Sequence, residues 1–327
     1  MPPRRDFLLC LPFAAACTRT GKQVIGVVPK ATADLFFVAV HAGVNQAARK
    51  NNVEIVWNGP NEETDHARQM RIVDAMVTQG VAALAISATD ERALAAPVER
   101  AIRAGIPVTV FDSGVNVEGY VSFIATDNHG AGCTAARLLA ELAGTKAKVG
   151  MVMHKPGGTS TMLRESGFEE TMAKEFAGVR IAARQYGMAD RAKARAAAEN
   201  ILTAHPDLNG LFASSEASSL GAIQAIESRG LSGKVKLVTF DTSESHVEAL
   251  RNGTIDRMLV QDSFRIGYEA VKSLADKLQG RTPPPRLDLP ARVVAKADLD
   301  KPDVQLLLSP KLARRKPLPK RNGLAAG

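Results

Sequence analysis

The alternation of short apolar runs with longer amphipathic segments is the feature that most constrains the fold of this 327-residue chain. Nine candidate strands are residues 24–28, 53–58, 83–87, 108–112, 149–153, 179–186, 210–214, 235–240 and 257–261. Segments with helical periodicity lie between most of them, as at residues 66–80, 94–105 and 191–205. Strands that are apolar throughout and separated by helices form parallel sheets with both faces covered. One such sheet of this length would be unusual, so the sequence predicts an α/β fold with two doubly wound parallel-sheet domains.

The net charge of +8 is concentrated at the two ends of the chain. Six positive charges lie in the Pro/Lys/Arg-rich segment 309–327, at Lys311, Arg314, Arg315, Lys316, Lys320 and Arg321. Arg4, Arg5 and Asp6 add a net one, which leaves about one positive charge for the body of the chain. A nearly neutral body argues against a nucleic-acid-binding surface, and the basic end, taken as residues 305–327, is typical of a solvated, flexible tail.

Residues 1–17 have the pattern of an export signal. A basic start with Arg4 and Arg5 precedes an apolar run over residues 7–16, which is too short to span a bilayer. The paired arginines resemble the twin-arginine export pattern, and Cys17 after three alanines resembles a lipoprotein cleavage site, although Ala14 replaces the usual large aliphatic residue. The sequence predicts an exported protein that is lipidated at Cys17. An unprocessed apolar N-terminus and export by the general route remain open.

Cys133 is then the one cysteine of the predicted folded body, so no internal disulfide is expected there. It follows His129 in an HGAGC segment, where the glycines are expected to allow close helix packing and not to form a phosphate loop or a nucleophile site. The sequence contains no recognisable hydrolase, P-loop or metal-ligand motif. The remaining histidines of the body are expected to be structural or exposed, and they include His41, His154, His205 and His246. We therefore expect no catalytic residues, no metal and no cofactor.

Polar side chains follow six of the predicted strands. They are Asp34, Ser87, Asp90, Asp112, Ser113, Ser214, Ser215, Glu216, Asp241 and Gln261. Each alone is explained as a helix cap, but ligands of open parallel sheets bind beyond the carboxyl ends of the strands, so together they predict one polar pocket. Phe36 and Phe37 are adjacent on a predicted helix and point about 100° apart, so both cannot face the core. The second ring is explained if it stacks on the C–H face of a sugar.

Seven segments in this order resemble periplasmic sugar-binding proteins of the ribose-binding type, the solute receptors of ATP-driven importers. They are DLFFVAVHAG (34–43), TVFDSG (109–114), IATDN (124–128), GGTSTMLRESGFEE (157–170), LTAHPDLNGLFASSE (202–216), VTFDTS (238–243) and VQDSFRIG (260–267). The resemblance covers roughly residues 22–300. It implies two α/β domains of the type I periplasmic binding protein joined by a three-segment hinge, a fold shared with effector domains of lactose-repressor-type regulators. The implied domains are residues 22–126 with 262–290, and 127–261 with 291–304.

The resemblance also implies which residues bind the sugar. Phe36 and Phe37 would stack on it, while Asp112, Arg164, Asp241 and Gln261 would form hydrogen bonds with it. Asp34, Ser87, Ser113 and Ser215 would complete the cleft. The implied partners are a monosaccharide or polyol and the membrane permease of an ABC importer, and no nucleic acid. The receptor is expected to be a monomer outside the cytoplasm and to contact the membrane only through a lipid anchor.

This chain departs from the ribose receptors at several implied contacts. Asp34 and Leu35 replace an Asn-Pro pair, and Ser113 replaces an arginine. Ser215 replaces an asparagine, and an aromatic residue is missing near Met188. We therefore expect a pocket that suits another pentose, a hexose or a polyol better than ribose.

Three other functions compete with the importer role. A receptor for a membrane sensor kinase would have the same sequence features. A transcriptional regulator would need a DNA-binding domain of about 50 to 60 residues before the first strand, where 23 residues precede Val24. A sugar-modifying enzyme would need an acid/base pair, and the sequence motifs indicate none.

Overall fold

The computed structural model describes residues 21–308. The predicted export signal with Cys17 and the basic segment 309–327 lie outside these residues. The described chain forms two lobes, each built on a six-stranded sheet. The predicted fold class, two parallel-sheet α/β domains, is confirmed.

The first lobe has an entirely parallel sheet in the strand order 11-5-4-3-1-2. Its strands are β1 (Val24–Val28), β2 (Glu54–Trp57), β3 (Ala83–Ile86), β4 (Val108–Phe111), β5 (Ser122–Thr126) and β11 (Arg286–Leu289). Its helices are α1 (Leu35–Asn51), α2 (His66–Thr78), α3 (Ala95–Arg103) and α9 (Ser263–Leu278). Helices α1 and α9 cover one face of the sheet and α2 and α3 the other, so the lobe has an apolar core on each side.

The second lobe has the strand order 12-10-9-8-6-7, in which only the short edge strand β12 is antiparallel. Its strands are β6 (Lys148–Met153), β7 (Arg180–Tyr186), β8 (Gly210–Ala213), β9 (Lys236–Phe240), β10 (Arg257–Val260) and β12 (Arg292–Val294). Its helices are α4 (Asn128–Ala143), α5 (Thr159–Glu175), α6 (Arg191–Ala204), α7 (Glu216–Ser228), α8 (Glu244–Asn252) and α10 (Pro302–Leu308). Helix α10 packs against the core of this lobe through the buried Val304.

Glycines allow one helix pair in each lobe to pack at backbone distance. A Cβ atom added to Gly43 of α1 would lie 1.9 Å from the carbonyl oxygen of Phe264 in α9. In the second lobe, a Cβ atom on Gly132 of α4 would lie 2.1 Å from the carbonyl oxygen of Arg164 in α5. Gly132 belongs to the HGAGC segment, so the packing role predicted for its glycines is confirmed at this position. The same contact positions the part of α5 that carries Arg164.

The chain passes between the two sheets at three places: after β5, between β10 and α9, and between β11 and β12. All nine strands that the sequence predicts are present, with ends that differ by at most one residue. The three further strands, β5, β11 and β12, were not predicted. Strands β11 and β12 are half-exposed edge strands with charged residues, so they lack a continuous apolar run. No helix within residues 21–308 is long and apolar enough to cross a membrane.

Candidate functional site

A cavity of about 170 Å³ lies between the lobes, at the carboxyl ends of the parallel strands. This is more than ten times the roughly 10–15 Å³ that one water molecule needs. Residues from the loops after β1, β2 and β4 line it from the first lobe, and residues from the loops after β6, β8 and β9 and from helix α5 line it from the second. Because both lobes supply the walls, the complete cavity exists only when the lobes are together.

Eight of the ten binding residues implied by the sequence line this cavity. They are Asp34, Phe36, Phe37, Asp112, Arg164, Ser215, Asp241 and Gln261. Ser87 and Ser113 are fully buried and are not among the lining residues. The Ser87 hydroxyl donates to Asp112 Oδ2 at 2.7 Å, and Ser113 Oγ lies 3.1 Å from Thr159 Oγ1 of the second lobe. In this structure the two serines hold the cavity walls in place.

Phe36 and Phe37 lie in the first turn of α1, with their rings nearly perpendicular and their centroids 5.0 Å apart. Phe37 is 2% exposed and packs in the core of the first lobe, whereas Phe36 is half-buried. Both rings also border the cavity. The pair therefore forms an aromatic corner, in which Phe37 is anchored in the core and Phe36 is the more accessible ring.

Asp112 and Asp241 occupy equivalent positions in the two lobes, directly after β4 and β9. Their backbone φ angles are 57° and 69°, in the left-handed region that side-chain-bearing residues seldom adopt. Both carboxyl groups reach the cavity. Asp241 Oδ1 accepts a hydrogen bond from the Gln261 amide at 2.7 Å, and its Oδ2 accepts one from the Glu216 backbone N–H at 3.0 Å. Strained backbone at both strand ends marks this edge of the sheets as a site.

Arg164 projects from α5 and is 2% exposed. Its Nε donates to Asn128 Oδ1 at 2.8 Å and its Nη1 donates to the carbonyl oxygen of Ser214 at 3.0 Å, while its guanidinium lies 4.1 Å from the centre of the Phe240 ring. Its nearest carboxylate oxygen, Asp241 Oδ2, is 3.9 Å away. Burial lowers the pKa of Arg164, and Asp241 partly offsets this effect. The guanidinium is thus held rigidly at the cavity wall.

Lys30, Glu63, Asp112 and His154 form a paired cluster at one end of the cavity. Lys30 Nζ lies 3.3 Å from Asp112 Oδ2 and 3.5 Å from Glu63 Oε2, and all these side chains are buried. Burial opposes the charge on Lys30, but the two carboxylates raise its pKa. Burial acts to raise the pKa of Glu63, and Lys30 and His154 outweigh it and lower that pKa. Every carboxylate of this cluster has a cation or an N–H group beside it.

His154 joins the lobes within the paired cluster. Its Nε2 lies 2.9 Å from Glu63 Oε2 of the first lobe, and its Nδ1 lies 2.9 Å from Ser215 Oγ of its own lobe. The sequence predicted a structural or exposed histidine, and the structure shows a buried residue with a partner on each side. The neighbouring Lys155 donates to the backbone carbonyl of Thr89, also across the cleft, at 2.5 Å.

Asp34 and Glu216 form a second group, here called the acid pair. Burial raises the pKa of Glu216 to about 8, and the nearby Asp241 and Asp34 carboxylates add to the increase. Burial likewise raises the pKa of Asp34 to about 6, with a further contribution from Glu63 that Lys30 partly offsets. The two groups of charges therefore differ, because repulsion dominates in the acid pair and attraction in the paired cluster.

Several lining residues were not predicted from the sequence, in particular Lys30, Glu63 and His154, while Glu216 was predicted to border the pocket but not to bind the ligand. Each lies in a loop after a parallel strand or at the start of a helix that follows one. The rule that singled out Asp112 and Asp241 would have included Lys30 and Glu63 if the loops after β1 and β2 had been read in full. His154 follows β6 directly and could have been found in the same way.

Comparisons with known proteins agree with this geometry. Residues 25–282 match the family model described as periplasmic binding protein domain. A D-ribose/D-allose-binding protein from Pseudomonas aeruginosa is 32% identical over 286 residues, which cover 84% of this chain and 88% of that protein. A solute-binding protein from Agrobacterium vitis, solved with α-D-tagatopyranose, is 31% identical with a TM-score of 0.84 and covers 88% of this chain and 99% of that one. One from Agrobacterium radiobacter, solved with D-arabinose, is 29% identical with a TM-score of 0.85 and covers 89% and 100%.

Proposed function

The chain belongs to the periplasmic binding protein family, and from this premise we propose that it captures a monosaccharide or related polyol between its lobes and delivers it to an ABC-type sugar importer. The family predicted from the sequence motifs is therefore confirmed. The proposal is supported by relatives described as ribose, allose, tagatose and arabinose binders. A receptor that feeds a membrane sensor kinase is the second candidate, since it would need the same ligand site.

The observation that carries the proposal is the composition of the cavity wall. It combines an aromatic corner at Phe36 and Phe37 with carboxylate, guanidinium and amide groups from both lobes. An aromatic face suits the C–H side of a sugar ring, while Asp112, Arg164 and Asp241 suit its hydroxyl groups. A small, neutral, hydroxyl-rich ring would contact both kinds of surface at once.

The proposed mechanism is closure of the two lobes around the ligand. Asp34, Phe36 and Asp112 belong to the first lobe, and Arg164 and Asp241 belong to the second. Only the closed form presents both sets to one molecule, so the ligand shifts the equilibrium towards closure by its differential affinity. A membrane partner can then recognise the closed form. In this mechanism the protein binds and releases its ligand unchanged and has no catalytic role.

We expect the cavity to fit another sugar or polyol better than ribose. Ala189 lines the cavity where the resemblance implies an aromatic residue in ribose receptors, and Ser113 replaces an arginine. Both changes remove bulk, which favours a hexose, another pentose or a polyol.

We also propose that the protein acts outside the cytoplasm as a lipid-anchored monomer. The sequence of residues 1–17, with Cys17 after three alanines, supports export and lipidation. Fractionation of Cys17→Ser tests the anchor: loss of membrane association supports it, and unchanged fractionation leaves export without an anchor.

A ligand screen by thermal shift tests the main proposal. D-ribose, D-allose, D-tagatose, D-arabinose and a wider set of sugars and polyols would be compared with amino acids, anions and nucleotides. A ligand at about 100 times its Kd stabilises the protein by roughly 2.7 kcal/mol, which raises Tm by several degrees. Hits confined to sugars and polyols support the proposal, provided that prolonged incubation gives no product. Hits confined to amino acids or anions contradict it.

A further inference from the structure

The acid pair brings together one carboxyl group from each lobe at the cavity. Asp34 precedes α1 at the N-cap position, but its side chain makes no capping hydrogen bond. Glu216 is the first residue of α7, and its Oε2 accepts a hydrogen bond from the Phe36 backbone N–H at 3.4 Å. The start of α1 is therefore capped by a carboxyl group of the opposite lobe. This contact exists only while the lobes are closed.

The cations near the acid pair do not neutralise it. Lys30 faces Asp34 but is already paired with Glu63 and Asp112. Asp241 adds a further negative charge beside both members of the acid pair. Arg191, at the start of α6, is exposed and only partly offsets the charge near Glu216. Both carboxyl groups are mostly withdrawn from water, so two negative charges here are unfavourable in the closed form.

We propose that Glu216 takes up one proton in the closed cleft and that the acid pair binds one hydroxyl group of a neutral ligand, with Glu216 donating and Asp34 accepting. The proton comes from solvent as the lobes close, and no covalent bond changes. This inference rests on the proposed function, because it concerns recognition in the same cleft. It makes the acid pair a specificity element, since a ligand with a carboxylate or phosphate at this position would be repelled.

The direction of the pH effect follows from the two forms of Glu216. Opening of the lobes would return Glu216 to water and move its pKa towards the ordinary value of 4.5, whereas burial raises that pKa to about 8 in the closed form. Between these values the closed form binds more protons, so closing takes up a proton and affinity strengthens as pH falls. The expected slope approaches tenfold in Kd per pH unit, roughly, in the middle of this range.

Isothermal titration calorimetry in two buffers of different ionisation enthalpy measures this proton directly. D-ribose, D-allose, D-tagatose and D-arabinose would be titrated at pH 6.5 into the wild type, Glu216→Gln and Glu244→Gln. Glu244 is a matched control, because it too begins a helix after a serine N-cap but is exposed. We expect uptake of close to one proton per ligand in the wild type and in Glu244→Gln, and almost none in Glu216→Gln, which should still bind. Binding without proton uptake in the wild type, or equal uptake in Glu216→Gln, would overturn the inference and leave the proposed function standing.

A measurement without ligand separates the two proposals further. Small-angle X-ray scattering reports the fraction of closed molecules through the radius of gyration. We expect the wild type to be more compact at pH 6 than at pH 8.5, and Glu216→Gln to show no such change. The absence of a pH effect in the wild type contradicts the inference. If none of the sugars and polyols of the thermal-shift screen binds at any pH, the proposed function fails, and the scattering result still decides whether closure takes up a proton.

Discussion

The paired cluster and the acid pair both join the lobes at the same cavity, but they balance charge in opposite ways. In the paired cluster, Lys30 lies within 3.5 Å of two carboxylates and His154 contacts one of them. In the acid pair, the one hydrogen-bond donor to Glu216 that the structure shows within residues 21–308 is a backbone N–H at 3.4 Å. The ion pairs of the first group form within the first lobe and His154 adds a contact from the second lobe, whereas the second group is balanced only by a proton or by a ligand donor. The paired cluster thus favours closure, whereas the acid pair opposes closure until a proton or a ligand donor is present.

The paired cluster therefore stabilises the closed cleft, whereas the acid pair makes closure depend on the ligand. A buried pair that is already complete contributes to the geometry of the closed form whatever the ligand is. A buried acid without a partner penalises the closed form until something supplies a donor. Mutations should therefore affect the two groups in different ways.

The largest effect is expected from Lys30→Met, which removes the cation of the paired cluster. Glu63 and Asp112 would then be buried without their nearest cation, a change that costs about 3 to 5 kcal/mol in buried pairs. We expect this cost to be divided between folding and binding, because both ion pairs lie within the first lobe. The Tm of the ligand-free protein should fall, and ligand affinity should fall because the cavity loses a lining cation. Lys22→Met, at an exposed position, is the control and should bind normally. An unchanged Kd in Lys30→Met would show that the cluster does not support closure.

Arg164→Ala is expected to have the next largest effect. Its guanidinium is the cation nearest to Asp241, and its loss should weaken binding by roughly 2 to 4 kcal/mol if it also donates to ligand hydroxyls. Calorimetry would compare it with Arg137→Ala, which breaks an exposed ion pair to Glu175 on the neighbouring helix. Because that pair is exposed to water, Arg137→Ala should leave ligand affinity unchanged. A change in affinity of less than about threefold (roughly 0.7 kcal/mol) in Arg164→Ala would remove Arg164 from the ligand site.

Burial also determines which strands can be predicted from the sequence alone. Strands buried on both faces leave continuous apolar runs, so all central strands but one were predicted almost to the residue. The exception is β5, whose apolar run is only three residues long between Ser122 and Thr126. The edge strands β11 and β12 were missed because solvent on one side permits charged residues such as Arg286 and Arg292. The fold class follows from the central strands, and the missing edges do not change it.

Within the site, sequence position indicates where a side chain starts but not where it points. Asp112 and Ser113 are neighbours after β4, yet Asp112 reaches the cavity and Ser113 turns to Thr159. The positive φ of Asp112 sets its direction, and this angle is not readable from the sequence. The pairing of Glu63 with His154 could not be predicted from the sequence either, because the two residues are 91 positions apart and lie in different lobes.

A smaller effect is expected from Phe36→Ala, which removes the more accessible ring of the aromatic corner. An aromatic contact of this kind contributes roughly 1.5 kcal/mol, so affinity should fall about tenfold while the Tm of the ligand-free protein stays nearly constant. Phe37→Ala should instead lower the Tm, because that ring is 2% exposed and packs in the core. Normal binding by Phe36→Ala, together with a large fall in Tm, would place both rings in the core and remove the main support for a sugar ligand.

The smallest expected effect is the change in ligand affinity at acid pH, which has opposite signs for the paired cluster and the acid pair. Lys30 of its own lobe and His154 of the second lobe lower the pKa of Glu63. The contribution of the His154 contact to closure is therefore present above the ordinary value of 4.5 and is lost as pH falls below it. The acid pair has the opposite sign, because its raised pKa values favour closure as pH falls. In the wild type, protonation of the acid pair should strengthen binding between pH 5 and pH 4 by more than protonation of Glu63 weakens it. In the double variant Asp34→Asn with Glu216→Gln the acid pair no longer titrates, and protonation of Glu63 should lower affinity by up to roughly threefold over this range. Adding Glu63→Gln should abolish that fall. If affinity in the double variant rises instead, Glu63 is not stabilised as a carboxylate in the closed form, and the contrast between the paired cluster and the acid pair is wrong.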